Sequence, residues 1–482
     1  MGRVSSPRMV LAIAVLGAFM AFVDATIVNI AVPNIAHRFS SSLTSVSWVL
    51  NAYNIVLAAF LVGGGQLADL FGRRRVFSLG LVTFTLASAL CAVSPSLSVL
   101  VAARVLQAAG SAILVPSSLA IALHAHDEHR RTQTAALWAA VAALAAGIGP
   151  PLGGVLITAS NWRLVFLINI PVGLIALALA QRVLVESRAH GPRRVPDLVG
   201  AVVLAAAIAS FVLAVVKGQE WGWGNGRIVS SFLVALLLGV YFALRSRHQS
   251  APIFDPSLLR VRLFAVSNGV TMVCAVGFYA YTLCNVLFLT GVWHYSILKA
   301  GLALTPGPVT AMAVAAPASK LIDRVDSRAI VVPGSLIWAA GLIYFASKLG
   351  VKPDFLGEWL PGMLVLGVGA GLGLPTVSGI AVRSVPGSRF AVATSLNSVA
   401  RQLGAALGVA ILIAIIGNPR PQQALRAFEH GWLFASGCFL VAALAATMLV
   451  ARPTSADDTT LAGGLAPSVT PAECDPECDR VR

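Results

Sequence analysis

The chemistry-bearing residues of this chain are few, and Asp24 is foremost among them. It is the one acidic residue well inside an apolar run, 9–32, and sits near the middle of that run. Placing an ionised carboxylate there costs at least about 2.5 kcal/mol in a bilayer. The group escapes that cost by taking up a proton or by facing a wet cavity, and a residue that alternates between the two carries protons. The competing reading is a structural carboxylate capped by neighbouring donors. Arg104, in the run 97–122, falls at nearly the same depth when each helix rises about 1.5 Å per residue. A fixed positive charge there could hold Asp24 ionised in one state and release it in another; otherwise it clamps helix backbones. Arg401, in the run 391–416, reads as a side chain snorkelling toward the inner headgroups rather than touching substrate.

Other motifs are less specific. Polar and aromatic side chains within apolar runs are sparse: Asn29, Tyr53, Asn54, Gln107, Tyr279, Tyr281 and Asn285. A cavity lined by these and by Ala, Leu, Val and Phe suits an apolar ligand held by few directed contacts, although each tyrosine alone is equally an interfacial anchor or a packing residue. The short stretch Gly65–Arg75 carries Gly65, Asp69, Gly72, Arg73 and Arg74. It reads as a tight loop in which Asp69 accepts from a helix N-terminus or from an arginine of the other half, latching one side shut. The stretch around Gly149, Pro150, Gly153 and Gly154 combines small residues, which let helices approach closely, with prolines that kink; it is a candidate rocking point. His124, His126 and His129 stand beside Asp127, Glu128 and Arg130, which reads as a solvated loop rather than a metal site. Cys474 and Cys478 make a poor zinc pair without further ligands. No metal or other cofactor is expected, protons being the coupling ion. A lipid-modifying enzyme would need a cluster of histidines and acids at one interface, which no stretch supplies.

These residues are positioned by membrane-spanning helices. Of 482 residues, 57% are hydrophobic and 11% charged, against about 25% charged in a soluble chain. Mean hydropathy is +0.85. No soluble domain buries that much apolar surface. Spanning runs fall near 9–32, 43–64, 76–94, 97–122, 134–158, 163–183, 198–216, 228–244, 264–290, 299–319, 329–347, 359–381, 391–416 and 431–451, which predicts an all-α polytopic membrane protein with fourteen transmembrane helices. The first run is too long for a signal-peptide core and is read as a retained helix. Net charge is +15, and the basic residues crowd the connections on one side. Counted with the N-terminus inside, 23 Lys and Arg fall on inner segments and 9 on outer ones, which places both termini in the cytoplasm and removes any need for a nucleic-acid partner. Asp69 with its following arginines has a weak echo in Asp323, Arg324 and Arg328. With the seventh and eighth helices set aside as an insertion, both segments follow the second helix of a six-helix half. The expected organisation is a six-helix bundle over 1–190, two inserted helices with flanking loops over 191–262, a second six-helix bundle over 263–451, and a disordered cytoplasmic tail over 452–482.

In order along the chain, these motifs resemble the major facilitator superfamily, specifically its fourteen-helix drug:proton antiporter branch (EmrB/QacA type). Asp24-Ala-Thr-Ile-Val-Asn-Ile-Ala-Val-Pro33 resembles the signature of that branch's first helix. Gly65–Arg75 resembles the superfamily's motif between helices 2 and 3, with Leu70 in place of a basic residue. Arg104 stands where the family has its helix 4 arginine. Gly149-Pro150-Pro151-Leu-Gly153-Gly154 is similar to the antiporter motif of helix 5, with Ala145 in place of its first glycine. Asn161-Trp162-Arg163 with Asn169-Ile-Pro171-Val-Gly173, Glu220–Gly224, Ala300–Leu302 and Arg401–Gly404 add weaker matches. The resemblance implies two MFS bundles, with helices 1 and 4 beside a central cavity. It further implies alternating access and proton-coupled multidrug efflux of hydrophobic or amphipathic compounds, or dedicated export of one metabolite or antibiotic. It implies a monomer in a bacterial cytoplasmic (inner) membrane. A periplasmic adaptor occurs in this family, but the sequence carries no sign of one.

Overall fold

The computed structural model describes residues 6–188, 196–249, 258–321, 325–385, 390–417 and 423–449. The tail 452–482, the connector residues 192–195, and Asp323 and Arg324 of the repeat lie outside the described residues. Residues 1–449 form one compact unit. Among the described residues all regular structure is helical. Fourteen helices are long and apolar enough to cross a membrane: α1 Pro7–Arg38, α2 Leu43–Phe71, α3 Arg73–Val93, α4 Leu97–His124, α5 Gln133–Ala159, α6 Leu164–Val183, α7 Leu198–Trp221, α8 Gly226–His248, α9 Arg262–Gly291, α10 Ile297–Ala315, α11 Arg328–Lys348, α12 Phe355–Ala381, α13 Ala393–Ile416 and α14 Ala424–Ala446. In hydrocarbon every backbone polar group must be satisfied within its own segment, which helices achieve and isolated strands do not. The chain is therefore a multi-pass membrane protein.

Packing follows the same plan twice. In the first half α1 packs on α4, α5 and α6, α4 on α2 and α3, and α3 on α6; in the second, α9 packs on α12, α13 and α14, α12 on α10 and α11, and α11 on α14. The two six-helix bundles meet along two seams, α2 with α13 and α5 with α10. Successive helices alternate in direction, so the end bearing Pro7 is called the near end and the end bearing Arg38 the far end. One apolar core runs through the far half of both bundles, joining Val23–Ile35 of α1 to Val286–Leu289 of α9 and Val409–Ile416 of α13. A second fills the near half of the first bundle and takes in Leu396 and Val399 of α13.

The inserted pair is attached asymmetrically. α8 packs on α7, and α7 packs on both α2 and α13. Its near end is fixed by Asp197, whose carboxylate accepts from Gly200 N–H at 2.9 Å and from Arg245 Nη2 of α8 at 2.9 Å. Burial pushes the Asp197 carboxyl up, but the hydrogen bonds from Arg245 and Gly200 outweigh it and hold the group below the usual carboxylate value.

Bundle packing depends on small residues at helix crossings. A Cβ on Gly64 of α2 would lie 2.9 Å from Ile113 Cα and 2.8 Å from Ala112 C of α4, against backbone that cannot yield. Gly239 of α8 has nothing within 4 Å of the same position. Gly64→Val is therefore expected to cost about 1–3 kcal/mol through overpacking and to lower the thermal unfolding midpoint in detergent, whereas Gly239→Val leaves it nearly unchanged. Equal midpoints for the two variants would remove close packing of α2 on α4 as a source of stability.

Candidate functional site

Asp24 lies about 25 Å along α1 from Pro7 at 1.5 Å per residue, and its side chain is fully buried. Arg104, one hundredth exposed, reaches it from α4: Nη1 donates to Asp24 Oδ2. The other carboxylate oxygen, Oδ1, accepts from Gln107 Nε2 at 2.9 Å and from Asn169 Nδ2 at 3.1 Å. Gln107 stands one turn along α4 from Arg104 and also accepts from its Nη1 at 2.7 Å. Ser88 of α3 closes the group, accepting from Gln107 Nε2 at 3.2 Å and Asn169 Nδ2 at 3.0 Å while donating to Phe166 O at 2.9 Å. Cys91, one turn further along α3, donates weakly to Gln107 Oε1 across 3.6 Å. Four helices thus converge on one carboxylate.

The guanidinium is held as firmly. Its Nε donates to Val49 O of α2 at 3.2 Å, and its Cζ lies 4.1 Å from the centroid of the Tyr53 ring. The Tyr53 hydroxyl turns away to donate to Ser111 Oγ of α4 at 3.0 Å. A buried carboxylate is tolerable only when paired and hydrogen bonded, and this one has an opposite charge and two amide donors. Because the network is linked through shared atoms, a change of charge at Asp24 alters every member.

This arrangement regroups the residues that sequence reading singled out. Tyr53 and Gln107, expected at a cavity wall, belong to the Asp24–Arg104 cluster. Their spacing from Val49 and Arg104 puts them on the faces of α2 and α4 that turn toward each other. Asn285, also expected there, is fully buried in the second bundle's aromatic core, where Oδ1 accepts from Trp432 Nε1 at 2.8 Å. Asn29 donates back to Thr26 O of its own helix at 3.1 Å. Asn54 is buried on α2. Tyr279 and Tyr281 flank Phe278 on α9 at centroid distances of 5.3 and 5.5 Å. Arg401, half-buried, turns to Ser398 Oγ at 3.5 Å, one turn toward the near end.

Two motifs differ from expectation. The stretch Gly65–Arg75 is not a loop: α2 continues to Phe71 and α3 begins at Arg73, with Gly72 alone between them at φ +108°. Only glycine takes that backbone geometry without strain. Asp69 pairs with Arg73 of the same turn at 2.9 Å, not with the other half. The N-terminus of α3 is capped instead by Glu186, whose carboxylate accepts from the backbone N–H of Arg74 at 3.1 Å and of Arg75 at 3.2 Å; an anion is favoured at that end by the helix dipole. Arg74 reaches Gln181 O at 2.8 Å. All these bonds lie inside the first bundle, so the turn is fastened within one half. The second motif, in α5, sits in a single unbroken helix through Pro150 and Pro151. Gly153 abuts Ile27 of α1, and Gly149 abuts Thr26, two residues from Asp24. The opposite edge meets α10: a Cβ on Gly154 would lie 3.1 Å from Ile297 O, and one on Gly301 would lie 2.7 Å from Pro150 O.

Sequence reading missed Asn169 and Ser88 as members of the cluster. Asn169 is a polar residue early in a spanning run, a signal masked by its place in a turn motif; Ser88 gives no signal of its own. Asn51 of α2 was also passed over. It is fully buried with neither side-chain amide atom partnered. Among the described residues no group of three or more His, Cys, Asp or Glu could hold a metal ion.

Comparison with known proteins agrees with the fold. A profile described as Major Facilitator Superfamily matches residues 14–278 and 267–472. The chain is 30% identical over 404 residues to the multidrug resistance protein Stp of Mycobacterium tuberculosis (strain CDC 1551 / Oshkosh), covering 83% of this chain and 74% of that one. It is 32% identical over 470 residues to the puromycin resistance protein pur8 of Streptomyces alboniger, covering 93% and 92%. Among solved structures, the POT family transporter PepTSo superposes with a TM-score of 0.65 at 15% identity over 92% of this chain and 97% of that one.

The pairing of Asp24 with Arg104 has a measurable signature. Arg104→Gln alone strands a buried carboxylate and is expected to cost about 3–5 kcal/mol. Adding Asp24→Asn removes the stranded charge and restores most of the loss in thermal unfolding of the purified protein. A double variant as unstable as the single one would show that the pair is not what Arg104 stabilises.

Proposed function

Because the chain belongs to the Major Facilitator Superfamily and is a membrane transporter, we propose that it exports hydrophobic or amphipathic compounds by proton-coupled antiport, with Asp24 as the proton carrier and Arg104 as the group that tunes it. The observation that carries this reading is the geometry of Asp24: a carboxylate fully buried within α1 and bonded to Arg104, Gln107 and Asn169. A proton delivered to Asp24 cancels its charge and removes the attraction that holds the guanidinium. Arg104 then has its bonds to Val49 O and Gln107 Oε1 but no counter-charge, so the cluster favours a different arrangement of α1 and α4. Gly149 and Gly153 fit α5 against α1 within two turns of Asp24, and α5 is one of the two helices of a seam. A shift of α1 at Asp24 is therefore felt where the bundles meet, as alternating access requires.

The energetics suit export. Each proton moving inward with the potential supplies about 2.3 kcal/mol per 100 mV, so one proton at about 150 mV supports roughly a 300-fold substrate gradient. The proposed setting is a bacterial inner membrane with both termini in the cytoplasm, in keeping with the excess of basic residues on near-end connections. Relatives with the multidrug resistance name support a broad substrate range. The relative named for puromycin resistance supports a second reading, a dedicated exporter of one antibiotic or metabolite; accumulation assays across a panel of compounds separate the two.

Everted vesicles test the carrier assignment. With a pH gradient imposed, addition of a transported compound is expected to dissipate it in wild type, and Asp24→Asn is expected to abolish that response while still reaching the membrane in normal amount. An Asp24→Asn variant that dissipates the gradient as well as wild type would falsify the assignment.

A further inference from the structure

The face of α2 that meets the second bundle is apolar with one exception. On one side of the helix, the Tyr53 hydroxyl donates to Ser111 of α4 and its ring lies under the Arg104 guanidinium. At 3.6 residues per turn Asn51 stands about 160° round the helix from Tyr53, on the face turned away from α4. Ile55, Ala58 and Val62 continue that face along the helix, and all three are buried. Outside its own bundle α2 packs on α13 and α7, so this is the face they cover. In the far half a single core joins Leu50 and Ile55 of α2 to Val212 and Val216 of α7 and to Val409 and Ile413 of α13.

Asn51 is fully buried on that face, and neither its Nδ2 nor its Oδ1 has a hydrogen-bond partner. The other buried amides of the first bundle are answered: Gln107 and Asn169 bond Asp24 and Ser88, and Asn29 bonds its own helix. A buried polar group left without a partner shifts an equilibrium against the state that buries it by roughly 5- to 150-fold, and an apolar surrounding strengthens the effect. The penalty belongs to the far-shut arrangement. Asn51 lies about 12 Å along α2 from Leu43, its far end, at 1.5 Å per residue. It is therefore inside the stretch of seam that must part for the space between the bundles to open at the far end. Once that stretch parts, water reaches the amide and the penalty is gone.

We infer that Asn51 is a built-in opening bias, an amide whose unmet hydrogen bonds destabilise the far-shut state and keep that state from trapping the transporter. The inference rests on the alternating access of the export reading and adds a residue that sets the balance between its two states. Without the amide, the stripe through Ile55, Ala58 and Val62 would be apolar throughout, and nothing along it would favour parting. With the amide, closure buries one group that prefers water. Asn51 stands on the opposite face of α2 from Arg104 and makes no bond to the Asp24 cluster. Its effect therefore falls on the populations of the two states and not on the charge of the ion pair.

Distances between the bundles test the bias. In a reference chain whose six cysteines are replaced by alanine, nitroxide labels are placed on exposed residues in two pairs. Arg38 with Lys299 spans the far end, and Arg182 with Arg262 spans the near end. Electron double resonance in lipid nanodiscs, at acidic and alkaline pH, gives the far-open and near-open populations. Asn51→Val and Asn51→Ala both delete the amide, one with a larger side chain and one with a smaller. Each is expected to lower the ratio of far-open to far-shut by at least about fivefold, with the near-end pair moving reciprocally. Ile55→Ala, which only leaves a void on the same stripe, is expected to shift the ratio the other way. The proposal is overturned if both Asn51 variants leave the ratio unchanged or raise it, or if Ile55→Ala shifts it in the same direction as they do. A reference chain that opens at the far end while the variants open equally removes the bias and leaves the export reading standing. A reference chain that never opens there contradicts the export reading, and the bias falls with it.

Discussion

A single carboxylate in an apolar interior sets the terms for much of this molecule. Left alone, the Asp24 charge would be intolerable at that depth. Its presence requires Arg104 opposite it, Gln107 and Asn169 to satisfy its second oxygen, and Ser88 to satisfy them in turn. Arg104 in its turn requires Val49 O and the Tyr53 face. The chain of obligations passes from α1 to α4, α6, α3 and α2, so five of the six helices in the first bundle are referenced to one charge. The second bundle has no equivalent ion pair among its described residues. Its interior is organised by aromatic contacts, Trp338 stacked on Phe439, Phe345 stacked on Trp359 and Trp432 tilted against Phe345, with Asn285 answering one indole. The two halves share a packing plan but differ in what fills it: the first holds a buried ion pair, the second a cluster of aromatic rings with a smaller amide network at Asn268 and Asn397.

The seams translate that difference into geometry. Small residues in α5 and α10 let the two helices lie almost backbone to backbone at the far end, the kind of contact that holds helices together in lipid without a hydrophobic driving force. The α5 segment with Gly149 and Gly153 also abuts α1 beside Asp24. One stretch of chain is thus pressed against both the charged cluster and the opposite bundle. On the other flank, α7 ties α2 to α13. The inserted helix α7 lies along that one seam, so the two seams are not equivalent.

Much of the fold was legible because hydrocarbon imposes strict rules. A run of about 20 apolar residues can only be a helix there, and fourteen runs gave fourteen helices. Asp24 and Arg104 stood out for the same reason: a charge in an apolar run is conspicuous, and equal depth on antiparallel helices made their proximity plausible. Depth does not give azimuth, however. Tyr53, Gln107 and Asn285 looked alike in sequence as polar residues inside apolar runs, yet two of them face the ion pair and the third faces a tryptophan. Hydrogen-bond partners on other helices, such as Asn169 and Ser88, are set by packing angles that no single helix encodes. The turn at Gly72 was misread as a longer loop because two glycines and three arginines look irregular; the residue that caps it, Glu186, lies more than a hundred positions away in sequence.

The central claim is that Asp24 changes protonation as part of the working cycle. Infrared difference spectroscopy on purified protein in lipid reads this directly through the carbonyl stretch of a protonated carboxyl group. A band that grows as pH is lowered, shrinks when a transported compound is added, and is missing from Asp24→Asn is the predicted result. A spectrum in which no such band assigned to Asp24 responds to pH or to substrate, while the protein stays folded, would contradict the account.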